Sequence, residues 1–354
     1  MIGPRTTPIG LDIGARRIKA AQWTLSRAGA RLTAAACIDR AAPGAPLSAD
    51  EAASIRGVLE RQGFVGRRVV ASAPATRVLT SVLELPPKSS GAPLEHIARI
   101  ELARANGVSP EGMEMAQWEL PSGSRAVEGT HVFAIALRHA DADAMLDALE
   151  AAGLHAEAID MGLLGLARLA MRQNNPGQRA VTGLLDLGAS GATIAVLHGG
   201  TLVYQRTLTD LGLEWLHARL VESMRIEPDV ASYIVSRIGL ATELTEEQRG
   251  WELLDDARSA IGDYADSIGA EMKASLSYAS RRYAAAETES VLLAGGGAAL
   301  PGIAARIEAA AESSVRSLSP GGGAGDGSAN PQLACAAGLA LWSDAASRQE
   351  RIAA

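Results

Sequence analysis

The pattern Leu-Asp-x-Gly-Ala occurs twice in the chain, at residues 11–15 and again at 185–189. Each copy closes a short apolar run and opens a turn. An Asp at the end of a buried strand is costly unless it has a partner or a task. A strand that ends in Asp-x-Gly and folds into a hairpin exposes backbone N–H groups at its tip. Such a tip can cradle phosphate oxygens, and its Asp can hold Mg²⁺ through water. Asp12 with Gly14 and Asp186 with Gly188 are therefore candidate phosphate, metal and catalytic positions, one set in each half, facing a shared cleft. A third element is Gly295-Gly296-Gly297, which follows a strand pattern and precedes a helix expected to begin near Pro301. Glycine there permits close backbone approach, and a helix end favours an anion. For either Asp alone, a turn-capping role is the simpler reading. Their matched settings favour the cleft.

The elements that must position these residues follow from pattern. Strands are expected at 9–13, 18–25 and 31–38, then a helix opened by Ser48 with Glu51 three residues on, as in a capping box. Residues 68–73 and 77–85 read as strands, 93–105 as a helix, 113–120 and 131–138 as strands, and 142–152 as a helix closed by Gly153. These make an α+β module inserted in the first half. A strand at 155–161 and a helix at 163–172, which Asp160 could cap, complete that half. In the second half, strands at 181–187, 192–197 and 201–207 surround a Gly199-Gly200 turn. Helices are expected at 211–223, 229–238 and 245–285, the last broken near Gly262 or Gly269. A strand at 290–294, a helix at 301–313 and a helix at 332–343 follow. Residues 174–177 read as a linker and 320–327 as a Gly-rich surface loop.

Composition excludes several functions. A length of 354 residues suggests two domains, with ample core. The aromatic content is 3% and the net charge −7, so neither base stacking nor a basic phosphate-backbone face is expected, and nucleic acid is not a partner. Cys37 and Cys335 follow no metal spacing and read as buried small hydrophobes in a reducing compartment. No signal core and no apolar run of about 20 residues is present, which favours a cytoplasmic protein. A dinucleotide-binding loop at Gly295 lacks the acidic residue that such a fold needs downstream. The six histidines show no metal spacing.

These motifs resemble the actin-like nucleotide-binding superfamily that includes actin, sugar kinases and FtsA. The first phosphate motif is similar to residues 9–14 with Lys19, the second to 185–190 with Ser190, and the adenosine motif to 292–302. The resemblance narrows to the type IV pilus assembly PilM family. It rests on Val82-Leu83-Glu84-Leu85-Pro86 and the helix after it, on 149–154 followed by Ile159-Asp160, on 196–204, and on 337–341, and it spans Ile9 to Trp342. FtsA resembles the chain less, because residues 343–354 carry only Ile352 as a large apolar residue, too little for a membrane helix.

The resemblance implies an α/β, actin-like (ribonuclease H-like) two-domain fold with an inserted α+β subdomain of the 1C type. Domain 1 would comprise 1–66, 154–178 and 331–354, the insert 67–153, and domain 2 residues 179–330. Nucleotide would be held by Asp12, Gly14, Lys19, Asp186, Gly188, Ser190, Gly295, Gly296 and Gly297. The cofactors implied are ATP or ADP, and Mg held by Asp12 and Asp186 through water. Ser190 has the alternative of bonding only its own turn. Departures from the family pattern weigh on this. Ala15-Arg16-Arg17 stands where Ser or Thr is usual, and Ala231-Ser232-Tyr233-Ile234-Val235 lacks the charges of the usual Ala-Glu-x-x-Lys. Leu211-Gly212 replaces a usual Gly-Gly. Each lost hydrogen bond to a charged phosphate costs roughly 1.5–3 kcal/mol, which argues for weakened ATP binding and against hydrolysis. Arg16 or Arg17 could grip a phosphate instead.

The expected function is a scaffold rather than an enzyme. It would lie on the cytoplasmic face of the inner membrane through partners, without inserting into the bilayer. It would dock the N-terminal tail of a PilN-like membrane protein in a groove between core and insert, as part of a pilus or type II secretion-like platform. The alternatives are an active Mg-ATPase, a sugar-kinase-like phosphotransferase and a filament-forming bacterial actin homologue.

Overall fold

The computed structural model describes residues 5–121, 129–174, 177, 180–283, 287–321 and 329–342. The expectations for residues 1–4, for 175 and 176 of the linker, for 284 and 285 of the long helix, for 322–327 of the Gly-rich loop and for 343–354 lie outside the described residues.

Two sheets share one topology. In the first, β2 (Ile9–Ile13), β3 (Arg17–Ser26) and β4 (Gly29–Asp39) form an antiparallel meander. The two-residue β1 (Arg5–Thr6) pairs with the end of β3. On its other side β2 pairs in parallel with β5 (Arg68–Ala73), and β5 with β9 (His155–Met161). In the second sheet, β10 (Ala180–Leu187), β11 (Ala192–His198) and β12 (Thr201–Leu208) form the meander. Then β13 (Glu287–Ala294) and β14 (Val315–Ser317) add in parallel. The paths β4-β3-β2-β5-β9 and β12-β11-β10-β13-β14 thus repeat, pairing by pairing. The strands bearing the two Asp-x-Gly motifs, β2 and β10, are central. Their flanking residues are buried on both faces, which is why each motif ends a continuous apolar run.

Helices cover the sheets. α1 (Ala49–Arg61) is capped by Ser48, whose Oγ accepts from Glu51 N–H at 3.2 Å. The capping box is only half formed, because the Glu51 carboxylate turns to Arg40, 2.7 Å away, as a buried pair. α4 (Gly162–Asn174) follows β9, and α10 (Ala334–Ala340) ends the described chain, lying over β2 and β3. α10 packs very closely. A Cβ on Gly10 would sit 1.9 Å from Ala336 O, and one on Gly338 would sit 1.8 Å from Gly165 O of α4. Asp160 accepts from Met161 N–H at 2.7 Å and pairs with Arg168 of α4.

The insert is smaller than its pattern suggested. β6 (Leu79–Leu85), α2 (Leu94–Asn106), β7 (Met113–Glu119) and β8 (Thr130–Arg138) form a separate sheet of order β6-β8-β7 with α2 on it. β5 and α3 (His139–Ala151), placed in the module by sequence, instead belong to the first lobe. β5 lies between β2 and β9. Met145 and Leu149 of α3 are buried with Ile55 and Leu59 of α1. α3 is the crossover helix leading to β9, as α9 (Ile303–Ala311) is the crossover from β13 to β14.

Between β12 and β13 lie α5 (Leu213–Met224), α6 (Pro228–Tyr233), α7 (Glu246–Arg249) and α8 (Leu254–Arg282). α8 runs unbroken through Gly262 and Gly269, against the expected break. Gly269 serves packing there, since a Cβ would lie 2.4 Å from Ala310 Cβ of α9. Interhelix contact outweighs the roughly 1 kcal/mol that glycine costs in a helix.

Candidate functional site

The two Asp-x-Gly motifs fold into the same turn. Gly14 N–H donates to Arg17 O at 3.1 Å, and Gly188 N–H donates to Gly191 O at 3.1 Å. The strand pairs beside them match as well, Ile13 opposite Ile18 and Leu187 opposite Ala192. Both glycines are sterically required. A Cβ on Gly14 would lie 2.7 Å from Arg17 O, and one on Gly188 would lie 2.8 Å from Gly191 O.

The charges at the two turns differ. Lys19 is the cross-strand partner of Asp12, and its Nζ lies 2.9 Å from Asp12 Oδ2. The other Asp12 oxygen accepts from Ser72 Oγ–H at 3.3 Å, and Ser72 Oγ in turn accepts from Ile13 N–H at 3.0 Å. Ser72 was not foreseen. It reaches the site from β5, 60 residues away, and no spacing rule connects it to Asp12. Burial disfavours the Lys19 charge, but Asp12 and then Asp186 outweigh that and hold its ammonium above the usual range. Asp186 makes no ion pair among the described residues. Burial, and then the Asp12 charge, push its carboxyl up to about 6, against the pull of Lys19. Asp12, Asp186 and Lys19 therefore share one field. Two carboxylates and one ammonium leave a negative remainder on the unpartnered Asp186, a site that fits a cation. The described residues hold no cluster of three His, Cys, Asp or Glu side chains. A cation here would rest on the two carboxylates and on water or ligand oxygens.

The triple glycine lies against Asp186. Gly295 has φ 85°, and a Cβ there would stand 2.2 Å from Asp186 Oδ1. Gly297 allows no Cβ either, with Leu187 Cβ 2.5 Å away, whereas Gly296 has room, its nearest neighbour being Leu213 Cδ1 at 3.7 Å. The triplet does not open α9 directly. Residues Gly296–Ala299 make a short 3₁₀ turn, and α9 starts at Ile303 after Gly302, whose φ is 73°. The positive end of α9 is thus displaced from the glycines.

The cations of the first turn are already engaged. Arg16 Nε lies 2.7 Å from Glu214 Oε1 on α5, and Arg17 Nε lies 2.8 Å from Asp39 Oδ1, with its Nη1 donating to Gln332 Oε1 at 3.3 Å. The second turn is closed by α5, where Leu213 N–H donates to Gly188 O at 3.1 Å and Glu214 N–H donates to Ala189 O at 3.0 Å. Gly212 makes that approach possible, because a Cβ would lie 2.5 Å from Ala189 O. Ser190 is exposed at the tip. Of the two cysteines read as buried small hydrophobes, Cys335 is buried at the start of α10, whereas Cys37, on β4 at the edge of the first sheet, is exposed. Burial, and then Asp12 and Asp186, hold the Cys335 thiol well above the ordinary range, so it stays protonated. The Ala231–Val235 stretch ends α6 and enters a π-helical turn over Ile234–Ile238, with Tyr233 half exposed beside Trp251.

Comparisons with known proteins bear on the fold and the family. A PilM–PilN type IV pilus biogenesis complex superposes with a TM-score of 0.74 at 22% identity, covering 95% of this chain and 98% of that one. The ethanolamine utilization protein EutJ of Carboxydothermus hydrogenoformans gives 0.55 at 14% identity, over 96% and 90%. MreB 5 of Spiroplasma citri bound to AMPPNP gives 0.55 at 10% identity, over 99% of each chain. These likenesses establish an actin-like α/β fold. No curated protein sequence matches the chain. The family model described as type IV pilus assembly protein PilM matches residues 10–342, almost the whole length, and the chain belongs to that family.

Proposed function

We propose that the chain is an actin-like scaffold of an inner-membrane assembly platform, of the type IV pilus or type II secretion-like kind. It lies at the cytoplasmic face and docks the N-terminal tail of a PilN-like membrane protein in the groove between the first lobe and the insert. The observation that carries this reading is the family match over residues 10–342. The similar structure described as a PilM–PilN complex supports the choice of partner. No helix among the described residues is long and apolar enough to cross a membrane, which is consistent with attachment through a partner. Calorimetric titration with the N-terminal peptide of the neighbouring PilN-like protein is expected to give one-to-one binding. No heat at high micromolar peptide overturns the scaffold.

The cleft binds ATP or ADP with reduced affinity. The relative bound to AMPPNP shares the fold, and the unpartnered Asp186 fits a cation. Asp12 and Asp186 would hold Mg²⁺ through water, and the ion would supply positive charge between their carboxylates and the phosphates. Lys19 orients Asp12, and the backbone of the two turns with Gly295 and Gly296 lines the approach. Hydrolysis is a second reading that one observation favours. Asp186 lies at the end of β10 beside Gly295 and makes no ion pair among the described residues, which leaves its carboxylate available to position water. Single-turnover hydrolysis decides it, since an unchanged rate in Asp186→Asn removes that role.

A further inference from the structure

Arg16 stands at the tip of the first turn, and Glu214 lies in the first turn of α5 in the other lobe. Their Nε–Oε1 contact of 2.7 Å joins residues 198 positions apart. Glu214 is also tied by its backbone to the second tip, at Ala189. Every described cation around the first tip has a carboxylate partner: Lys19 has Asp12, Arg17 has Asp39, Arg40 has Glu51 and Arg16 has Glu214. Only Arg16 takes its partner from the opposite lobe.

We propose that Arg16 and Glu214 form a latch between the lobes, and that a phosphoanion entering between the tips releases it by capturing Arg16. The incoming group is the phosphate chain of a nucleoside triphosphate, so this step rests on the nucleotide reading above. The argument is one of charge. A phosphate offers a guanidinium more acceptor oxygens and more negative charge than one carboxylate does. The same anion meets Glu214 as a like charge, so Glu214 competes with it for Arg16. Ala15-Arg16-Arg17, which replaces hydroxyls at this tip, then becomes a lobe-bridging device as well as a departure from pattern. The pair is largely exposed, with side-chain exposures of 60% and 39%, so its effect is two- to five-fold and not orders of magnitude.

The test uses the full chain with Arg16→Gln, Glu214→Gln and the swapped pair Arg16→Glu with Glu214→Arg. Without nucleotide, distances between nitroxides on the native exposed Cys37 and on Glu222→Cys are measured by pulsed electron resonance. Each single variant is expected to broaden the distribution, and the swap to restore it. Unchanged distributions in both single variants overturn the latch. In ATP titrations, Glu214→Gln is expected to tighten binding two- to five-fold and Arg16→Gln to weaken it. Equal or weaker binding by Glu214→Gln overturns release by the anion. If neither the parent nor Glu214→Gln binds ATP, the nucleotide reading and the release step fall together, while the distances still decide whether the pair holds the lobes.

Discussion

At the scale of single residues, the duplicated motif holds two carboxylates in unequal states. Asp12 has Lys19 and Ser72, whereas Asp186 has burial, a like charge nearby and Gly295 packed against it. This has a consequence for stability. The folded-state pKa of Asp186, about 6, lies above the ordinary 3.8, so the folded chain binds the extra proton between those values. Its contribution therefore falls as pH rises from about 4 to about 6, then levels off. Asp186→Asn removes that slope. Denaturant melts are expected to show the variant more stable than the parent by about 3 kcal/mol above pH 6 and equal to it near pH 4. A parent that gains stability over that window relative to the variant contradicts the assignment. The same substitution is expected to abolish Mg²⁺-dependent ATP binding, as occurs when a destabilising group is kept for a ligand.

At the scale of elements, glycines mark where backbone meets backbone. Gly338 is interior to α10, where alanine would raise helix propensity by about 1 kcal/mol. Its Cβ would collide with Gly165 O, so Gly338→Ala is expected to lower stability by about 3 kcal/mol in urea melts. Gly296→Ala meets no atom closer than 3.7 Å and is expected to change stability by less than about 1 kcal/mol, which makes it a suitable probe of nucleotide approach. Local pattern located most helices and strands here because apolar periodicity is a local property. It misplaced the start of α9 and the continuity of α8. Leu300-Pro301-Gly302 and Gly269 answer to neighbours distant in sequence, namely Leu240 on one side and Ala310 on the other.

At the scale of the molecule, the repeated sheet path makes the two lobes topological equivalents, and the insert bridges them. Trp118 Nε1 donates to Leu202 O of β12 at 2.9 Å, and Thr80 Oγ1 donates to Gln205 Oε1 at 2.9 Å, so the insert rests on the second lobe. Trp118 also stacks on Phe133, with centroids 5.0 Å apart. Trp118→Phe retains the stack and removes the donor. It is expected to cost about 1 kcal/mol and to speed hydrogen exchange in β12 without changing α2. Exchange that quickens throughout the insert instead points to a role inside that module.

The chain alone determined the duplicated turn and the central strands, and its motifs resembled those of the family, because these features are local in sequence: Asp two residues before Gly, Lys19 seven residues after Asp12 across a hairpin, three glycines after a strand. Tertiary structure decided what those residues do to one another. It set Ser72 under Asp12, left Asp186 without an ion pair among the described residues, moved β5 and α3 from the insert into the first lobe, and directed Arg16 across the cleft to Glu214. Hydrogen bonds, fields and steric exclusion act through space. Residues 60 or 198 positions apart become neighbours only after the two sheets have paired and α5 has closed on the second turn.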